Sequence, residues 1–470
     1  MGRRSFNHWR GGMQMDLKAL LKNDENEIIA KLQKAISFRS VREDDSSGYP
    51  YGQGVQDCLE YMLDLGRELG FRTVNVDNQV GWCEIGEGEE MVAVMGHLDV
   101  VPEGDGWTVP PYESVVKDGC IYGRGSTDNK GPVVASLYAM KAIREAGLPL
   151  KRRIRVLMGT NEETGSADMK YYLAHGGEVP VMGFTPDANY PVINGEKGLV
   201  TSTFARAWKQ SGDIRILKLV AGEAPNIVPE KAWVELSCSP AVADTICGSS
   251  MEKVRYLPVD GGVRIEADGI SCHAAGPWNG ENAAGRLLLA LRKLPLEGEV
   301  KEVVAFLADK IGMEHDGTSL GIKLYDEASG PLTLNMGVVT ADENSVSLKL
   351  NYRYPVTFTG EDCIPVLEKQ FADAGFERTA HIHKNALYMA PDSPLVKALT
   401  DVYVRCTGLD GTPICIGGGT YAKSIPNVLA FGTTFPGEVT RVHKSDESIS
   451  IDNLMRNAEI IAEAMYALAQ

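Results

Sequence analysis

The sequence predicts an α/β protein, a mixed sheet covered by helices and interrupted by an inserted α+β domain. Three observations predict it. Met91–Met95 is a short continuous apolar run without helical period, which reads as a strand buried on both faces. Amphipathic helical segments alternate with such runs up to about residue 195 and again from about 385. Between these limits the texture changes to short strands with few helices.

Taken in order, Asp16 to Phe38 places Leu17, Leu20, Leu21, Ile28, Ile29, Leu32 and Ile36 on one helical face, with a break near Asn23. Val55 to Leu69 is a second helix, stopped by Gly70. Strands follow at Phe71–Val76 and Val80–Ile85, then the central strand. Pro102 to Asp118 reads as a long loop, and Val133 to Ala146 as a helix. Arg153–Met158 is a strand, Ala167–His175 a helix, and Val179–Thr185 a strand. In the insert, strands are expected at Leu199–Ala207, Ala232–Ser237, Val263–Gly269, Thr333–Thr340 and Ser345–Tyr354. Helices are expected there at Ala283–Lys293, Glu302–Ile311 and Glu361–Ala374. The βα pattern resumes with a helix at Pro394–Cys406, strands at Thr412–Ile416 and Val428–Gly432, and a helix at Glu447–Leu468. The domain boundaries are therefore 16–195 with 385–470, and 196–384. Residues 1–15 read as a disordered leader or extension, and Met15 as a candidate natural start. Arg3-Arg4 precedes no hydrophobic segment, which argues against export.

A chain of 470 residues exceeds one small core, so two domains are expected. The net charge of −16 argues against nucleic acid and anionic membranes as partners. No apolar run approaches the length of a membrane span. Nine scattered cysteines without a C-x-x-C pair suit reduced thiols in a cytoplasmic protein. Cys272 beside His273 reads as a small buried cysteine, since neighbours in a strand face opposite ways.

The central strand breaks at Gly96 and presents His97 and Asp99, alternate residues that project together. The carboxyl end of such a strand is where α/β sheets bind ligands. Asp128 follows in a Gly-rich turn that opens a helix. Glu162 and Glu163 follow the next strand, and Asp187 the one after it. Each has an ordinary reading alone: Asp128 as a helix cap, the glutamates as a solvated acidic turn. The turn Gly123-Arg-Gly-Ser126 lacks phosphate-loop spacing. Convergence of three strand ends and one loop on acids and an imidazole points instead to metal chemistry. One glutamate would be a ligand and the other a base.

The motifs MGHLDVVPEG, GRGSTDNKGP, NEETGS, TPDANYP, CHAAGPWNGENA, GGGTY and VHKSDE, in that order, resemble the M20 family of di-metal peptidases and deacylases. The resemblance covers nearly the whole chain from about residue 16 and is greatest to the PepV-like dipeptidase branch. It implies a zinc-exopeptidase-like catalytic domain and an inserted lid, possibly built of two ferredoxin-like units. His97 and Asp187 would bind one metal, Glu163 and His443 the other, and Asp128 both, with a cis Asp128–Asn129 bond. Glu162 would be the base for a metal-bridged water, and Asp99 would orient His97. His273 would reach from the lid to stabilise the oxyanion. Asn226, Arg353, Gly418, Gly419 and Thr420 match positions that hold peptide termini. The N/O donor set suits two divalent ions, Zn²⁺ first, with Mn²⁺ or Co²⁺ compatible. Asp rather than Glu at 187 goes, in this family, with free-amino dipeptides. The expected reaction is hydrolysis of dipeptides by a monomer; the alternative is an N-acyl amino acid deacylase on the same metals. A catalytically dead binding protein is disfavoured by the intact Glu162, Asp99 and ligands. His8, His175, His315, His381 and His383 lack such context and read as structural or exposed.

Overall fold

The computed structural model describes residues 16–44 and 46–470; the expected leader lies outside the described residues. The chain has a mixed α/β fold and divides into two compact units. One holds the described residues up to Asn194 together with Ala390–Pro413 and Thr420–Gln470. The other holds Gly195–Met389 and Ile414–Gly419.

The sheet of the first unit runs Arg72–Val76, Val80–Ile85, Arg153–Gly159, Met91–His97, Met182–Thr185, Val428–Phe431 and then Val192–Glu196. Arg153–Gly159, Met91–His97, Met182–Thr185 and Val428–Phe431 are mutually parallel, and the pairings outside them are antiparallel. All seven residues of the central strand are buried, as its unbroken apolar run requires. The helices Lys130–Glu145 and Ile451–Leu468 pack on each other and on this strand. Leu137, Met140 and Ile143 are fully buried there, each contributing roughly 1.5–3 kcal/mol over an exposed position. A Cβ at Gly96 would fall 2.5 Å from both Asn129 Oδ1 and Val133 Cγ2. The missing side chain is what lets the strand end approach the start of that helix.

The expected break near Asn23 is real: one helix spans Leu17–Asn23 and the next Glu25–Ile36. Two other expectations need correcting. Glu447 is not helical, because Ser448–Ser450 pairs as a strand with Cys120–Tyr122 and the helix starts at Ile451. The loop after Pro102 contains a short strand, Val115–Lys117, pairing with the same Cys120–Tyr122.

The second unit holds an eight-stranded sheet ordered Val254–Val259, Gly262–Asp268, Lys231–Ser237, Arg215–Ala221, Thr333–Asp342, Ser345–Tyr354, Gly198–Ala207, Glu377–Lys384. Every neighbouring pair is antiparallel. Helices Ala283–Leu291, Gly298–Lys310 and Ile364–Asp373 supply Leu287, Val304 and Phe371 to its core. Three strands of this sheet and the helix Pro240–Cys247 were not expected. Val254–Val259 and Glu377–Lys384 are the sheet edges and are largely exposed, so they carry no apolar alternation. Arg215–Ala221 has a bulge between Ile216 and Lys218, which interrupts its period. Ile414–Gly419, expected with the first domain, groups with the second unit. The backbone N–H of Lys197 donates to the Ile416 carbonyl at 3.0 Å, drawing that segment in.

Among the described residues no helix is long and apolar enough to cross a membrane. All nine cysteines are free thiols.

Candidate active site

The three adjacent parallel strands Arg153–Gly159, Met91–His97 and Met182–Thr185 deliver Glu162/Glu163, His97 and Asp187 at their carboxyl ends. Asp128 enters on the turn before Lys130–Glu145, and its peptide bond to Asn129 is cis. The Asn129 side chain donates to the Pro186 carbonyl (2.8 Å) and to Asp187 Oδ1 (3.2 Å), tying this turn to the third strand end. His443 comes from the loop after Phe435, with φ +62°. That left-handed conformation is uncommon for a non-glycine residue and recurs at functional positions.

These residues converge. His97 Nε2 lies 2.9 Å from Asp128 Oδ1 and 3.6 Å from Asp187 Oδ1. His443 Nε2 lies 3.0 Å from Asp128 Oδ2 and 3.1 Å from Glu163 Oε1. Asp128 thus faces one imidazole with each oxygen. Two donors at 2.0–2.2 Å from one tetrahedral ion stand about 3.4 Å apart, so the observed separations fit a shared ion on each side of Asp128. Glu162 also reaches in: one oxygen lies within 4.8 Å of donor atoms of His97 and Asp187. It is therefore within ligand range as well as base range. A cavity of about 200 Å³ beside Asp128 and Asp187 is lined further by Asn189, Thr433, Thr434 and Thr440.

The electrostatics are those of crowded carboxylates. Burial and the Asp128 charge push Asp187 up to about 7. Burial and the Asp187 charge push Glu162 well above the usual range, and burial and Asp128 raise Glu163. Asp128 is the exception: burial opposes its ionisation, but hydrogen bonds from His443 and His97 hold it well below the usual value. A cluster that accepts this much negative charge only with neighbouring cations is a fitting cradle for divalent ions.

Two residues that bear on the site were given no role by motif reading, although Glu447 closes the VHKSDE motif. Glu447 is fully buried, and its Oε1 accepts the backbone N–H groups of Gly125 (3.1 Å), Thr127 (3.0 Å) and Asp128 (3.1 Å). Its other oxygen pairs with buried Arg124 at 2.7 Å. Asp168, also fully buried, accepts the N–H groups of Thr160 (2.7 Å) and Asn161 (3.0 Å). Asp99 accepts those of Glu162 and Glu163, each at 3.1 Å. Four consecutive amides of the glutamate turn are thus held by two buried carboxylates. An acid five positions after Glu163, in the first turn of a helix, was the available signal, and it reads equally as a helix-dipole partner.

In the second unit, His273, Asn226, Arg353 and the Gly417 segment come together. The Ala274 N–H donates to the Asn226 carbonyl at 2.9 Å, and Ile227 and His273 form a β-bridge. Arg353, 2 % exposed, donates to Asn351 Oδ1 (3.2 Å) and to the Gly417 carbonyl (2.5 Å). Its Nη2 lies 3.4 Å from His273 Nε2. Burial lowers its pKa to about 10, and it makes no ion pair with a carboxylate among the described residues. Gly418 and Gly419 continue this segment. Thr420 belongs to the first unit, where its hydroxyl accepts from Ala422 N–H and caps the turn Tyr421–Lys423. Cys272 is half-buried rather than buried, because it lies in an irregular segment and not in a strand. Its thiol points at the Gly276 carbonyl, 3.5 Å away, and burial raises its pKa.

The sequence model of "Peptidase family M20/M25/M40" matches residues 93–467. A Bacillus subtilis (strain 168) protein named "Putative dipeptidase YtjP" is 35% identical over 472 residues, covering 97% of this chain and 100% of that one. A Staphylococcus epidermidis (strain ATCC 12228 / FDA PCI 1200) protein, "Putative dipeptidase", is 33% identical, covering 94% and 97%. The crystal structure of human carnosine dipeptidase 1 shares the fold at a TM-score of 0.57 and 18% identity, covering 98% of this chain and 99% of that one.

Proposed function

The chain belongs to peptidase family M20/M25/M40, a family of metal-dependent hydrolases, and from that premise we propose that it is a dipeptidase acting on dipeptides with a free N-terminus. The observation that carries the reading is the convergence of His97, Asp187, Asp128, Glu163 and His443, with Glu162 beside them. The curated relatives named as dipeptidases support the substrate class.

His97 and Asp187 would hold one divalent ion, Glu163 and His443 the second, and Asp128 both. Two imidazoles and three carboxylates without a thiolate favour Zn²⁺, with Mn²⁺ or Co²⁺ compatible. When bound, the ions supply Lewis acidity to the scissile carbonyl and to the attacking water. Glu162 takes the proton of that water on its carboxylate and delivers it to the leaving amine. Asp99 fixes the backbone that carries Glu162 and Glu163. His273 stabilises the oxyanion. Arg353, buried without a carboxylate partner, is suited to the substrate's terminal carboxylate, together with Asn226, Gly418, Gly419 and Thr420. The protein acts as a cytoplasmic monomer.

The test is a substrate panel for the metal-reconstituted protein: L-Ala-L-Ala, β-Ala-His, a tripeptide, and N-acetyl and N-succinyl amino acids. Cleavage of the free-amino dipeptides alone supports the reading, and cleavage of the acylated substrates alone overturns it. Glu162→Ala separates base from ligand. Turnover lost with metal content intact supports the base, whereas metal lost with turnover makes Glu162 a ligand.

A further inference from the structure

Asp168 does more than hold two amides. The Tyr421 hydroxyl donates to its Oδ2 at 2.5 Å, the same oxygen that accepts from Thr160 and Asn161. Its Oδ1 accepts from the Met169 N–H at 2.8 Å. Both side chains are fully buried. The Tyr421 ring stands edge-on to His97, with centroids 6.1 Å apart and planes at 86°. Space for this contact exists because residue 159 is glycine. A Cβ there would fall 2.0 Å from Tyr421 Oη and 2.6 Å from Asp168 Oδ2. The bond therefore joins two chain segments far apart in sequence. One is the turn Thr160–Glu163, and the other is the short turn Tyr421–Lys423 that Thr420 caps.

We propose that Tyr421 and Asp168 are positioning residues for catalysis, which fix the first half of the Glu162 turn as Asp99 fixes the second. The inference rests on Glu162 acting as the base. Asp168 anchors the first two amides of the turn and Asp99 the next two, so the carboxylate of Glu162 projects from a backbone with no free amide to relax. Tyr421 supplies the donor that keeps Asp168 aimed at the turn and packs against the ring of His97. Each acts through the backbone that Asp168 holds. A displaced base costs chemistry without costing binding, since an error near 1 Å in a reacting group lowers rates on the order of a hundredfold.

The experiment compares Tyr421→Phe and Asp168→Asn with the unaltered enzyme, each reconstituted with Zn²⁺. The expected result is a fall in kcat of roughly 10- to 100-fold, with KM and metal content unchanged. Hydrogen exchange should quicken in peptides covering residues 159–166. The double variant should lose no more than the weaker single variant, because both act through one contact. Tyr421→Phe keeps the ring and every backbone bond, so the test survives failure of Asp168→Asn to fold. Unchanged kcat and exchange in Tyr421→Phe would overturn the proposal, as would loss of metal or a rise in KM alone. Glu162→Ala run in parallel distinguishes the two failures. If it still turns over, the base assignment and this proposal fall together; if it is dead while Tyr421→Phe is fully active, only this proposal falls.

Discussion

The Nδ1 of His97 lies 2.8 Å from the backbone carbonyl of Asp99 and 3.4 Å from its carboxylate. The main chain thus fixes the imidazole, and the Asp99 carboxylate is spent on the amides of Glu162 and Glu163. Asp99→Asn would keep the carbonyl but turn an NH₂ towards one of those amides. Metal affinity should stay within a few-fold and kcat should fall about 10- to 100-fold. Competition with a chromophoric chelator and steady-state kinetics check this. A loss of affinity larger than the loss of kcat would make the carboxylate the main partner of His97.

Glu447→Gln removes the charge from a buried pair. Arg124 would be left buried without its counter-ion, a change that costs about 3–5 kcal/mol. The amide of Asp128 would keep an acceptor but lose its charge-assisted bond. Denaturant unfolding should show the loss of stability, and metal affinity should fall about 10- to 100-fold as the Asp128 turn loosens.

Removing metal should destabilise the fold. Glu162, Glu163, Asp128 and Asp187 would then face one another with only His97 and His443 to offset them. Chelation should lower Tm, and added Zn²⁺ should raise it in a concentration-dependent way, the stability gain reaching about 2.7 kcal/mol at one hundred times Kd. In the metal-free protein Glu162→Gln should raise Tm by relieving repulsion. Differential scanning calorimetry measures both, and a Tm indifferent to metal would contradict the shared-ion geometry.

Burial pushes Asp168 up to about 6 from its usual 3.8, against the hydrogen bonds from Tyr421, Thr160 and Met169. A raised carboxylate binds its proton more tightly in the folded than in the unfolded chain. Its contribution to stability is complete below about pH 4 and is lost as pH rises through about 6. The stability of the unaltered protein relative to Asp168→Asn should therefore decline across that window and level off above it. A rise instead would mean that the donors outweigh burial.

Much of the fold around the candidate site was legible because it rests on side-chain identity and period. The unbroken apolar run at Met91–Met95 marks a central strand, and Gly96 marks the strand end that brings His97 to the candidate site. What escaped was of two kinds. The edge strands Val254–Val259 and Glu377–Lys384 bury little, so hydrophobic alternation had nothing to record. Asp168 and Glu447 act on backbone amides, which carry no sequence spacing of their own. An acid that serves the main chain is indistinguishable, in sequence, from one that serves the solvent.

The position of Val428–Phe431 has a consequence for synthesis. It lies between Met182–Thr185 and Val192–Glu196, inside the sheet rather than at its rim. A growing chain that has not yet reached Val428 holds a slot between those two strands, and it also lacks His443. His443 and the missing strand arrive on the same stretch of polypeptide. Sheet and candidate site are therefore completed by one and the same segment.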